Sequence, residues 1–160
     1  RRYNVKEVLD DVIFTLNRKL INKSIKVELF CPSDFNIFGQ PGRFDQLITN
    51  LIINSIAHAF DHGTADALIS ISLARTTDNL ICLTYTDNGK GMESSAVDKI
   101  FEPFYTTSRT DGTGLGMYLC HTIVVNDMHG HIRCESHLGD GIVFEIIFPC
   151  QEVMGLENES

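Results

Sequence analysis

The stretch "DALISISLARTTDNLICLTYTDNGKGM", residues 66–92, decides the architecture. Two runs, "DALISISLAR" and "NLICLTYTD", alternate apolar and polar side chains with the period of two of a half-buried strand. The residues "TTDN" between them read as a hairpin turn. The second run ends in "TDNGKGM", which puts Asp87 at the end of a strand, where a pocket floor should be. Gly89 and Gly91 let the chain turn tightly and let a flat ligand approach the backbone. A carboxylate in that position can accept a hydrogen bond from an exocyclic amine such as adenine's. Such a charged bond contributes about 1.5–3 kcal/mol, and a base lacking the amine leaves the carboxylate unpaired. By itself, D-x-G-x-G is a common turn.

Upstream, Val5, Val8, Leu9, Val12, Ile13, Leu16 and Leu20 recur at helical spacing, so the chain opens with an amphipathic helix. "IKVELF" reads as a strand and "NIFG" as a short second one. Pro41 suits the first helical position of "PGRFDQLITNLIINSIAHAF". Downstream come a short helix at residues 93–99, a helix over about residues 114–128, and a strand pair, "HGHIRCESH" and "GIVFEIIFP", across "LGDG". Few strands are separated by single helices. The expected fold is therefore α+β: a two-layer sandwich with a mixed or largely antiparallel sheet and helices on one face. Residues 1–150 form the expected single domain, and residues 151–160 a polar tail.

The 160 residues carry a formal net charge of −8. That argues against a phosphate-backbone binder, which neutralises nucleic acid with Lys and Arg. Nucleotide binding stays open, because backbone amides and a metal ion can neutralise a polyphosphate. The five cysteines form no C-x-x-C pair and read as buried free thiols of a reducing cytosol. No apolar run is long enough to span a membrane, so neither nucleic acid nor membrane is an expected contact of this segment. The chain begins in a helical pattern without an initiator methionine and reads as a piece of a longer protein, membrane-anchored or not, itself placed in the cytoplasm.

In the long helix, Phe44, Leu47, Ile48, Leu51, Ser55 and Ala59 share the face expected to pack on the sheet. Gln46, Asn50, Asn54 and Ala57 lie opposite, with His58 at the edge. Asn50 and Asn54 are one turn apart on a single face, although asparagine is a mediocre helix former. Side-chain amide oxygens suit Mg²⁺, a hard cation that takes oxygen ligands and keeps several waters. Further on, "FEPFYTTSRTDGTGLGMYLC", residues 101–120, sets an aromatic anchor of Phe101, Pro103 and Phe104 before a small polar segment. "GTGLG" then meets a helix start, where free N–H groups favour phosphate oxygens.

In this order and spacing, the motifs resemble the catalytic ATP-binding domain of bacterial sensor histidine kinases. That group belongs to the superfamily shared with gyrase, Hsp90 and MutL. "QLITNLIINSIAHA" resembles the asparagine box, "DNGKGM" and "GTGLGMYLC" the two glycine boxes, "IFEPFYTTS" the phenylalanine box, and "GDGIVFEIIFP" the closing strand. The resemblance implies three main helices on a mixed five-stranded sheet, with ATP and Mg²⁺ as ligands. It implies Asn54 as the metal ligand and Asn50 in the phosphate or metal-water network. His58 would lie beside the phosphates and Asp87 on the adenine amine. Gly89, Gly91 and Met92 would shape the adenine wall. Phe104, Arg109, Gly112, Thr113, Gly114, Leu115 and Gly116 would belong to the lid and the helix start around the phosphates.

The chain departs from the family pattern at three places. Ala57 stands where a basic residue is frequent, Ser108-Arg109 where the lid frequently has lysine, and Ile142 where threonine is usual. The gyrase-like relatives activate water with a glutamate, and here that position is Asn50, which cannot act as a base. The implied activity is therefore transfer of the γ-phosphoryl group to a histidine on a separate dimerisation domain of the same parent protein, with a response regulator downstream. The alternatives are a nucleotide-binding scaffold with little kinase activity, and a serine kinase of the anti-sigma-factor type.

Overall fold

The computed structural model describes residues 1–61, 64–105 and 115–150. A short strand β1 (Arg2–Asn4) leads into helix α1 (Val5–Asn22). Asn4 caps the helix by accepting from the Glu7 N–H at 2.9 Å. The helix buries Val5, Leu9, Val12, Leu16 and Leu20, as their spacing predicts. Strands β2 (Lys26–Phe30) and β3 (Asn36–Phe38) follow, then helix α2 (Pro41–His58) with its proline in the first turn. The hairpin of residues 66–92 forms as β4 (Leu68–Arg75) and β5 (Leu80–Asp87). Helix α3 (Ser94–Val97), helix α4 (Gly116–Thr122), and strands β6 (His131–Ser136) and β7 (Ile142–Pro149) complete the order.

The main sheet runs β2-β4-β5-β7-β6. Only β2 and β4 are parallel, and α2 supplies the crossover that a parallel pair needs. The other three pairings are antiparallel, so the sheet is mixed. Ile81, Leu83, Tyr85 and Asp87 of β5 point to one face, as do Ile142, Phe144, Ile146 and Phe148 of β7. That face packs against the helices, with Phe44, Leu47, Ile48, Leu51 and Ile52 of α2 in the shared core. Asp87 therefore enters the layer between helices and sheet at the last residue of its strand.

Three features differ from the sequence expectation. Arg2–Asn4 is a strand paired antiparallel with β3, and not the start of the helix; three residues are too few to show a period. The continuous helix expected to residue 128 changes to a π-helical turn over Ile123–Asp127. There the Met128 N–H reaches back to Ile123 O at 3.0 Å, and both Ile123 and Val124 stay buried. The cysteines are free, but only Cys120 and Cys150 are buried; Cys31, Cys82 and Cys134 are half-buried.

Candidate functional site

A cavity of about 860 Å³ opens between the C-terminal half of α2, the loop after β5, and the start of α4. Of the residues singled out from sequence, Asn50, Asn54, His58, Asp87, Gly91, Met92 and Gly116 line it. Three motifs far apart in the chain thus meet around one space. Gly89 does not line the cavity. It docks on the end of α2, where an added Cβ would lie 2.5 Å from Ala59 O. Leu115 is half-buried outside the lining. Arg109, Gly112, Thr113 and Gly114 lie outside the described residues.

Asp87 is only 5% exposed. Its Oδ2 accepts from Ser55 Oγ at 2.7 Å, and its Oδ1 from the Gly89 N–H at 3.0 Å. Burial raises the acid above its ordinary range, while the Ser55 bond and backbone bonds from Gly89 and Ile142 pull it back. The neighbouring Asn88 faces elsewhere. Its side chain accepts from the Leu68 N–H at 2.7 Å and donates to Asp66 O at 2.8 Å, which ties the end of β5 to the start of β4.

The loop after Asp87 is held by the closing hairpin. Gly91 has φ +71° and sits so close to His137 O that any Cβ would collide with it. Gly141, at φ +70°, is pressed in the same way against Asp87 O. The Met92 N–H donates to Ser136 Oγ at 2.9 Å, and Gly139 N–H to Lys90 O at 2.7 Å. "LGDG" is uninformative in sequence because glycine is common in hairpins. In space it is the wall that fixes the Asp87 loop.

At the other end, Asn50 Nδ2 donates to Gly116 O at 3.5 Å, linking α2 to the first residue of α4. Asn54 is half-buried one turn on. These amides fit magnesium by donor type: they offer hard oxygen, and Mg²⁺ completes its shell with water and phosphate. Among the described residues, no group of three His, Cys, Asp or Glu is gathered as an alternative metal cage. Ala57 lines the cavity at the position where a basic residue is frequent in the family. Lys23, from the end of α1, also lines it, and its Nζ donates to Ile56 O at 2.5 Å and Phe60 O at 3.4 Å. A cation there complements the negative end of α2. Its only trace in sequence is a lysine at a helix end.

The aromatic anchor needs correction. Phe101 packs on Phe144 and His121, with ring centroids 6.2 and 5.4 Å away. Phe104 is 73% exposed at φ +67° and does not line the cavity; its neighbour Tyr105 does. Ser55 also differs from expectation. It lies on the sheet-facing side of α2, as its position predicts, but its hydroxyl is the inner partner of Asp87. The signal for that pairing is a serine on an otherwise apolar face.

The family described as histidine kinase-, DNA gyrase B- and HSP90-like ATPase matches residues 39–152. The chain belongs to that family, and within it is a catalytic ATP-binding domain of the sensor histidine-kinase type. It is 35% identical over 114 residues to the sensor histidine kinase ZraS of Salmonella typhimurium strain LT2, covering 71% of this chain and 23% of that one. Over 127 residues it is 35% identical to sporulation kinase B of Bacillus subtilis strain 168, covering 79% and 28%. The nucleotide-free catalytic domain of histidine kinase ThkA superposes with a TM-score of 0.80 at 25% identity, covering 94% of this chain and 95% of that one. The chain spans 19% to 28% of the length of the curated relatives it matches. Among the described residues, no helix is long and apolar enough to cross a membrane.

Proposed function

We propose that residues 1–150 bind Mg·ATP and, in the parent protein, present its γ-phosphoryl group to a histidine on a separate dimerisation domain. The observation that carries this reading is the buried Asp87 at one end of a cavity whose other end is lined by Asn50 and Asn54. Asp87 would accept from the adenine amine, with Gly91 and Met92 beside the base. Asn54 would hold Mg²⁺ through its side-chain oxygen, with Asn50 and His58 next to the phosphates. Bound magnesium supplies charge neutralisation on the phosphates. The protein's own part is positioning and a fixed field, which is most of what phosphoryl transfer requires.

Self-contained ATP hydrolysis is disfavoured by the Asn50 side chain, an amide engaged with Gly116 O that cannot take a proton from water. Arg109, Gly112, Thr113 and Gly114 retain the lid role that the family resemblance assigns. A response regulator is the expected downstream partner; ThkA, of similar fold, has been crystallised with its response regulator TrrA.

The test mixes the chain with radiolabelled ATP and a dimerisation-domain fragment of its parent. Acid-labile label on the fragment supports histidine transfer. Acid-stable label indicates a serine acceptor, and tight nucleotide binding without transfer indicates a scaffold.

A further inference from the structure

Behind Asp87 lie two buried hydroxyls that the adenine contact leaves unexplained. Ser55 Oγ is 2.7 Å from Asp87 Oδ2 and 2.6 Å from Tyr85 Oη, and Tyr85 Oη is 3.0 Å from Leu51 O. Ser55, Tyr85 and Asp87 are 1%, 0% and 5% exposed, so the row is shut off from bulk solvent. Four oxygens in series make three contacts, and each needs one proton to be a hydrogen bond. Serine and tyrosine bring two.

With Asp87 ionised, the two protons point toward it: Tyr85 donates to Ser55 and Ser55 to the carboxylate. Leu51 O then keeps only the N–H bond of its own helix. With Asp87 neutral there are three protons, and the row reverses. Asp87 Oδ2–H donates to Ser55, Ser55 to Tyr85, and Tyr85 to Leu51 O, so all three contacts are filled. The same side chains satisfy both states without moving. On the other side, Asp87 accepts backbone bonds from Gly89, at Oδ1, and from Ile142, so of the carboxylate's roughly four lone-pair sites one remains for the cavity.

We infer that the Ser55–Tyr85 pair is a reversible hydroxyl relay that keeps the cavity-facing oxygen of Asp87 an acceptor in either charge state, and so enforces selection of an amino over an oxo purine. The inference rests on the reading of Asp87 as the adenine contact. Without an inward acceptor, the neutral acid is free to turn its proton to the cavity and donate to a 6-oxo group. Ser55 and Tyr85 are positioning residues here, since they act on the base through Asp87.

The titratable surroundings permit this assignment. Burial raises the Asp87 acid, bringing the neutral form toward the working pH range. Burial also pushes the Tyr85 phenol well above its ordinary value, and the Cys134 thiol on β6 up to about 12, with the Asp87 charge adding to both. Neither loses its proton where Asp87 titrates. Lys23, His58, Lys90, Glu93 and Tyr105 complete the charged and titratable lining described for the cavity. His58 is the one whose ordinary range lies between about pH 5 and 8. ATP and inosine triphosphate are identical outside the base, so its effect on shared groups cancels in their ratio.

The experiment is calorimetry of the whole chain with ATP and with inosine triphosphate, at about pH 7.5 and about pH 5.5. The unmodified chain should prefer ATP by at least about tenfold at both pH values. Ser55→Ala should hold that preference at the higher pH and lose about tenfold of it at the lower. Tyr85→Phe, which keeps the ring in the core, should shift the ratio in the same direction by less, and decides the matter if Ser55→Ala does not fold. Infrared spectra should show a carboxylic-acid carbonyl stretch that is absent in Asp87→Asn and shifted in Ser55→Ala. Ratios equal to those of the unmodified chain at both pH values in the folded variants would overturn the relay while leaving the adenine contact standing. ATP affinity unchanged in Asp87→Asn would overturn the adenine contact, and the relay with it.

Discussion

The two ends of the cavity are built from opposite materials. At the base end, a buried carboxylate is fixed by a serine, a backbone N–H and two close-packed glycine turns. At the phosphate end, neutral amides on α2 face the cavity, and Ala57 provides no charge of its own. The base end stores a costly group, an acid kept out of water, and holds it rigidly before any ligand arrives. On the reading proposed above, the phosphate end would supply oxygen donors and take its electrostatics from the metal and ligand. Specificity should accordingly sit at the first end and salt- and metal-sensitivity at the second.

The largest effect that can test this contrast is Asp87→Asn. Losing a charged bond to the amine should lower ATP affinity about ten- to a hundredfold in titration calorimetry. The same change should raise the melting temperature at neutral pH. The sign follows from the raised acid: between the unfolded and folded pKa values the native state binds more protons, so stability falls as pH rises through that window. Asparagine removes that loss, so the variant's advantage should shrink as pH drops below the ordinary carboxylate range. A variant that binds poorly and melts lower at neutral pH would contradict the idea of a stored, costly acid.

Gly91→Ala tests the rigidity of the base end. Positive φ and the collision with His137 O should cost about 1–3 kcal/mol. For a domain of this size that lowers the melting temperature by about 2–4 °C for each kcal/mol. A matching change at Gly116, where an added Cβ meets nothing within 4 Å, should leave the melting temperature nearly unchanged. Equal losses at the two glycines would remove the distinction between a packed end and an open one.

Much of this was legible in the sequence, and what was not has a physical reason. The strands, α1, α2 and the position of Asp87 follow from local periodicity and turn chemistry, which act over a few residues. The meeting of Asn54 with Asp87 required motif order as well, because periodicity cannot bring residues 33 apart together. Hidden entirely were contacts made only by tertiary packing. Ser55 pairs with Asp87 across 32 residues, and the His137–Gly141 hairpin, which leads into β7 beside β5, abuts the Gly91 turn from about 50 residues further along the chain. Phe104 misled because a phenylalanine beside a proline suggests burial, whereas the backbone there turns through positive φ and leaves the ring outside.

At the phosphate end, Asn54→Ala should leave the fold intact and remove most of the Mg²⁺ enhancement of ATP affinity, by about tenfold, while affinity measured with excess chelator barely changes. The Asp87→Asn loss should persist in chelator. If both variants lost the same affinity with and without Mg²⁺, the two ends would not be separable in function.

The smallest effect expected is also the most pointed. Ala57→Lys would place a cation on the cavity wall one turn from Asn54, where the chain has none of its own on α2. Lys23 is already tied to the Ile56 and Phe60 carbonyls, so two of its three donors are engaged and one is left for a phosphate. The introduced lysine would be partly exposed, and its gain in ATP affinity should be no more than about 1 kcal/mol. The gain should fade as salt rises from about 0.01 to 0.15 M, over which the screening length drops from about 30 to 8 Å. The preference for ATP over inosine triphosphate should stay fixed throughout, because the added charge touches only what the two nucleotides share. A lysine at residue 57 that altered base preference would mean that the two ends communicate through α2, with Ser55 the residue on that helix placed to carry the change to Asp87.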